Sequence, residues 1–242
     1  MNFTVKKTPG ITAKKFARVV FHPALGERKT ASDYIADALR VAIYDGQFTD
    51  GEELNQVELG NYFKVSRAPV REALRRLQAE GLISSVAHRR AVVIGLELDE
   101  ITELLEIRAI IEGHLVEKAG PHITTASLRR LDHLCDEMEI ISDYDYDWVK
   151  KNWEFHGALY GPSGSKIAIA LVEQYHQKVE RYVRRTGSVE RLRRAVVEHR
   201  QILSEVQNEQ FSAARSKIQE HIMHTSEEIH RHFAASGKEP QT

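Results

Sequence analysis

The chain has 242 residues, 42% of them hydrophobic and 29% charged, with a formal net charge of −1. That length accommodates two modest domains with real cores, while near-neutrality excludes a globally basic nucleic-acid binder and leaves focused charge as the route to phosphates. The single cysteine, Cys135, excludes a disulfide within the chain; no apolar run approaches the roughly 20 residues that cross a bilayer, and the start lacks a signal-peptide core. These features point to a cytoplasmic protein.

Taken in chain order, residues 1–28 form a basic leader in which Lys6, Lys7, Lys14, Lys15 and Arg18 precede the first acid, Glu27. They read as a loosely ordered leader, with a basic arm following DNA as the alternative. A first helix is predicted over 34–42, where Ile35, Ala38, Leu39, Ala42 and Ile43 recur at helical spacing before Asp45 and Gly46. Asn55 followed by Glu58 has capping-box spacing and opens a short helix running to Phe63. Only Lys64 and Val65 separate it from Ser66, which is expected to cap a third helix. Pro69 is tolerated in that helix's first turn, and Gly81 supplies its permissive end.

Within this third helix, Val70, Ala73, Leu74 and Leu77 face a core, while Arg67, Arg71 and Arg75, four residues apart, share one flank. A row of arginines is in general no more than a solvated face. Two short helices joined by so tight a turn, the second bearing arginines, instead match a helix-turn-helix whose second helix meets DNA. The runs 82–85 and 91–94 are short and β-prone around Ala87, His88, Arg89 and Arg90, a hairpin with a basic tip. Over 64–90, seven lysines and arginines stand against Glu72 and Glu80, a local basic excess that suffices for phosphate binding.

A short link over 95–98 leads to Asp99, which is expected to cap a long helix. Helical periodicity then runs to Phe233, interrupted at Gly120 and Pro121, at 142–147, at 161–165, at Gly187 and Ser188, and near Asn208; this predicts about six helices and no strand. Cys135 falls in the apolar series Leu128, Leu131, Leu134 and Met138 and is a small core residue. Some apolar stripes carry polar residues. Arg108 lies among Ile101, Leu104, Leu105, Ile111 and Leu115. Asn152 and His156 lie on or beside the face of Trp148, Phe155 and Leu159. His199 falls among Leu192, Val196, Leu203 and Val206, and His221 among Ala214, Ile218, Ile222 and Ile229.

Burying unpaired polar groups costs a few kcal/mol each, so these five must satisfy one another or hold something. One histidine on an apolar face is more often a hydrogen-bonded core residue. Three imidazoles converging from different helices are what a zinc-like ion requires, and Arg108 suits a carboxylate bound near it. The expected fold is therefore mostly α: an N-terminal winged helix-turn-helix with a small β-hairpin wing over 29–95, an all-α bundle of about six helices over 99–233, and a tail over 234–242.

The stretch VSRAPVREALRRLQAEGLI, with the preceding LNQVELGNYF and the wing, resembles the winged-helix domain of GntR-family transcription regulators. The resemblance implies that Arg67, Arg71 and Arg75 lie at the DNA surface, with Ser66 and Pro69 at the start of the same helix, and that the wing residues His88, Arg89 and Arg90 reach an adjacent groove. Position 90 departs from the family, which usually has glycine after the wing arginine; Arg90 raises the wing's charge. In the second half NWEFHGALYGPSGS, VEHRQIL, the terminal EHI and the earlier IRAIIE resemble the FCD-type effector domain of the FadR subgroup.

That second likeness implies a divalent ion held by Asn152, His156, His199 and His221, zinc first with nickel or manganese as alternatives, and a small organic acid completing the coordination. The carbonyl oxygen of Asn152 is a poorer ligand than an aspartate. His224 is a competing ligand or a rim residue, and His176, Arg181, Tyr182 and Arg184 lie on a neighbouring helix that can reach the pocket. The function implied is a homodimeric regulator, a repressor by the family's commoner habit, that reads an inverted-repeat operator in double-stranded DNA and responds to a small carboxylate effector. An enzyme is not expected: no HExxH arrangement, serine nucleophile motif or carboxylate base accompanies the histidines of a would-be metal-dependent hydrolase. The other alternative is a DNA-binding protein with a purely structural metal and no effector.

Overall fold

A computed structural model describes residues 30–86, 90–141 and 146–236. The basic leader, the wing tip with His88 and Arg89, and the end of the tail lie outside the described residues. The chain divides into two compact units: one runs to Leu98 and takes in Glu180–Arg185, the other comprises Asp99–Val179 and Thr186–Ala235.

In the first unit, α1 (Ala31–Tyr44) starts at Thr30, whose hydroxyl accepts from the Asp33 amide at 3.2 Å while the Asp33 carboxylate accepts from the Thr30 amide at 2.8 Å. A two-residue strand, β1 (Glu53–Leu54), which the sequence reading did not anticipate, precedes α2 (Gln56–Phe63). Asn55 caps α2 through Val57 and Glu58 amides at 2.8 and 3.3 Å. Lys64 adopts the left-handed conformation at φ 56°, and the Val65 amide returns to the Gly60 carbonyl at 3.0 Å, which turns the chain sharply into α3 (Arg67–Ala79). Ser66 occupies the cap position of α3, but contrary to expectation its side chain makes no capping bond; the hydroxyl stands exposed.

Val70, Ala73, Leu74 and Leu77 of α3 pack with Leu39, Ile43, Leu59 and Ile83 in one core. Gly81, at φ +74°, ends the helix as expected. β2 (Ile83–Val86) and β3 (Arg90–Val93) form the antiparallel wing, and β1 pairs with the far edge of β3, so the sheet order is β1-β3-β2. Arg40 of α1 makes a two-pronged bond to Glu80 at 2.8 and 2.7 Å, fastening the far end of α3.

The second unit is helical, built from α4 (Leu98–Ala119), α5 (Thr125–Ile140), α6 (Tyr146–Tyr160), α7 (Lys166–Thr186) apart from its Glu180–Arg185 segment, α8 (Val189–Gln207) and α9 (Phe211–Ser236), with single 3₁₀ turns at Gly120–His122 and Gly161–Ser163. α4 begins one residue earlier than expected, so Asp99 lies inside its first turn rather than capping it; its charge still complements the helix N-terminus. Thr124 and Ser188 cap α5 and α8. Leu105, Leu115, Leu131, Phe155, Leu159, Ile202, Ile218 and Ile222 are buried, as is Cys135, whose thiol burial pushes up to about 12. Among the described residues no helix is long and apolar enough to cross a membrane.

Candidate functional site

Two sites emerge, one in each unit. In the first, α3, β1, β3 and the start of α2 border a groove of about 730 Å³ whose lining includes Asn55, Gln56, Arg67, Arg71, Arg75 and Arg90. The apolar stripe of α3 faces inward, and 100° per residue then carries Arg67, Arg71 and Arg75 outward together. Arg75 lies 3.9 Å from Glu72 in an exposed pair, and Arg90 lies 3.7 Å from the half-buried Glu53; both pairs are long and weak. Arg76, next in sequence, is spent otherwise, bonded to Asp33 of α1. Pro69 is half-buried in the first turn of α3. A groove with four arginines, framed by a helix-turn-helix and a β-wing, is complementary in charge and hydrogen bonding to a phosphate-lined duplex.

In the second unit His156 of α6, His199 of α8 and His221 of α9 converge, each buried, with one ligand nitrogen from each within 4.8 Å of the others. Their ring centroids lie 5.5, 5.3 and 4.6 Å apart. Two carboxylates orient the rings. His156 Nδ1 lies 2.9 Å from Glu112 Oε2, and His221 Nδ1 lies 2.6 Å from Glu198 Oε2. An ionised carboxylate only accepts, so Nδ1 carries the proton in both rings and Nε2 keeps its lone pair for an ion. Burial favours the neutral ring of His221 and of His199.

His199 lacks such a partner: both ring nitrogens are buried without a hydrogen bond, while its ring stacks on Phe155 at 4.2 Å. Asn152, one turn before His156 on α6, also buries an unpartnered oxygen, Oδ1. Buried polar atoms are ordinarily satisfied. Orphaned donors and acceptors of the ligand-forming kind, beside imidazoles held in one tautomer, fit a divalent cation. Tyr160, a further turn along α6, is 1% exposed and its hydroxyl is likewise unpartnered.

Arg108 is 6% exposed and bonds Glu112 Oε1 through Nε at 2.9 Å and Nη2 at 2.7 Å. Burial pushes Glu112 upward, but Arg108 and the His156 bond outweigh it and hold the carboxyl at about 2. Glu198 is the matching hub, accepting from Arg191 at 3.1 Å and from His224 Nδ1 at 2.8 Å besides His221. His224 is thus tied to a carboxylate at the rim. His176 stacks on Trp153 at 3.9 Å, next to His156. Arg181, Tyr182 and Arg184 do not join the cluster: they lie in the first unit, where Arg181 pairs with Asp50 at 3.1 Å, the Tyr182 hydroxyl accepts from the Leu96 amide at 2.7 Å, and Arg184 pairs with Asp45 at 3.0 Å.

Sequence reasoning missed Glu112, Glu198, Arg191 and Tyr160. The signal was present in their spacing: Glu112 follows Arg108 by four residues, Glu198 follows Arg191 by seven, and Tyr160 follows His156 by four, each on one helix face.

The same two halves match family models, residues 31–94 that of the bacterial regulatory proteins of the gntR family and residues 103–224 that of the FCD domain. The chain belongs to the GntR family of transcription regulators. It is 28% identical over 206 residues to the HTH-type transcriptional regulator YdhC of Bacillus subtilis (strain 168), covering 83% of this chain and 91% of that one. It is 27% identical to the HTH-type transcriptional repressor GlaR of Escherichia coli (strain K12) over 199 residues, 76% of this chain and 89% of that one. The solved structure of E. coli McbR/YncC shares the fold, with a TM-score of 0.70 over 85% of this chain and 99% of that chain at 20% identity. This GntR regulator is accordingly a DNA-binding transcription regulator and not an enzyme.

Proposed function

We propose that this GntR regulator is a repressor whose hold on its operator is set by a small carboxylate bound at a metal ion inside the helical unit. Asn152, His156, His199 and His221 hold the ion; zinc suits three imidazoles and an oxygen best, with nickel or manganese as alternatives. The observation that carries this reading is the pairing of two oriented histidines with a third, His199, whose nitrogens are both buried and unpartnered. When bound, the ion supplies a Lewis-acidic point to which an organic acid attaches. Arg108, which has donors beyond the two given to Glu112, faces that acid.

On the DNA side Arg67, Arg71, Arg75 and Arg90 contact the duplex with Ser66 and Pro69 at the helix start, and the basic residues His88 and Arg89 contact it beside them. A homodimer in the cytoplasm presents two such units to an inverted repeat. The effector acts by binding one arrangement of the dimer more tightly than the other. The DNA-binding domain spans 29–95 and the effector domain 99–233, with a basic leader over 1–28 and a tail over 234–242. That GlaR is a repressor supports the sign of regulation.

Elemental mass spectrometry of dialysed, untagged protein tests the metal centre. About one ion per chain is expected for the wild type and far less for His199→Ala, since ligand loss weakens affinity by orders of magnitude. No ion in the wild type, even after incubation with zinc, nickel or manganese, removes the metal from the reading and leaves the DNA interface intact.

A further inference from the structure

Three neutral imidazoles and a carboxamide carry no charge, so an ion held by the proposed ligands keeps both of its own. The surrounding interior does not make up the difference. Among the described residues of the helical unit, the buried charged side chains are Arg108, Glu112, Arg191 and Glu198. They form two closed pairs: Arg108 Nη2 is 2.7 Å from Glu112 Oε1, and Arg191 Nη1 is 3.1 Å from Glu198 Oε2. The other side-chain bonds of the two carboxylates go to Nδ1 of His156, His221 and His224, while Arg191 also donates to the Thr225 hydroxyl at 3.1 Å. Neither carboxylate can turn to an ion without leaving a buried arginine unpaired, which is strongly unfavourable.

An uncompensated double charge in a low-dielectric interior is itself unfavourable. Resting on the metal-centre reading above, we infer that Asn152 makes metal and anion binding interdependent: the ion and a small anion enter as a charge-compensating pair, each held weakly without the other. Coupling of this kind is reciprocal, so the ion tightens the anion as much as the anion tightens the ion. The regulator then responds to the joint presence of the two rather than to either alone. An aspartate at position 152 would place a negative charge among the ligands and loosen the coupling.

The test is the zinc affinity of the full chain, measured by competition with a chromophoric chelator in chloride-free buffer, with and without acetate, for the wild type and Asn152→Asp. Acetate is expected to tighten wild-type zinc binding by about tenfold or more. Asn152→Asp is expected to bind zinc more tightly than the wild type in the absence of acetate and to gain little from it. Equal wild-type affinity in the two buffers, or the same acetate gain in both proteins, overturns the interdependence and leaves the metal centre standing. No zinc bound by the wild type in either buffer overturns both. Should Asn152→Asp fail to fold, the acetate dependence of the wild type decides alone.

Discussion

The arginines of α3 differ in what the fold does with them. Arg76 bonds Asp33 and steadies α1 against α3, whereas Arg71 stands exposed in the middle of the groove wall. Replacing Arg71 by alanine should therefore weaken operator binding by about 1–3 kcal/mol and flatten its salt dependence, while thermal melting and metal content stay unchanged. A gel-shift titration at several salt concentrations measures this, and unaltered affinity would remove Arg71 from the DNA surface. The histidines divide in the same way: His156 and His221 are each fixed by a carboxylate, while His199 is positioned by stacking on Phe155 and keeps both nitrogens unpartnered.

At the scale of elements, α6 places Asn152, His156 and Tyr160 at four-residue steps, so one helix face delivers three polar groups to one interior. Asn152 and His156 were legible on this face because helical spacing is a local property, whereas Tyr160, one turn further, was passed over. Glu112 and Glu198 were not, because each lies on a different helix from the histidine it orients, 44 and 23 residues away in the chain. The turn between α4 and α5 shows how tightly the bundle closes. A Cβ on Gly120 would fall 2.2 Å from Cδ1 and 2.6 Å from Cγ of Phe211, atoms near the root of a ring that cannot simply swing clear. Gly120→Ala should destabilise the protein by about 1–3 kcal/mol, as overpacking does. A denaturant midpoint equal to the wild type's would show that Phe211 moves aside freely.

For the molecule as a whole, stability should carry a pH signature from the end of α7. Burial pushes the Glu180 carboxyl up to about 7, against the opposing pull of Arg184 and Arg40. In the unfolded chain the same group titrates near 4.5. Between these values the folded protein binds the extra proton, so raising the pH through that window favours unfolding, by at most about 3 kcal/mol once both states are ionised. Glu180→Gln should therefore melt several degrees above the wild type at pH 8 and level with it at pH 4. A variant that melts lower at pH 8 would mean that the Arg184 pair, 3.7 Å long, outweighs the burial.

The sequence by itself determined the recognition helix, the tight turn before it, the wing strands and the six helices that follow, because caps, glycine stops and 3.6-residue periodicity act within a turn or two of chain. It also picked out His156, His199 and His221 as residues on buried faces. Only the tertiary structure decided how these residues are employed. Packing sent Arg181, Tyr182 and Arg184 to Asp50, Leu96 and Asp45 instead of the histidines, paired β1 with the wing, and closed Arg108 on Glu112. Such pairings follow from which helix faces meet, and that is settled by the burial of the whole apolar surface rather than by the local preference of any segment.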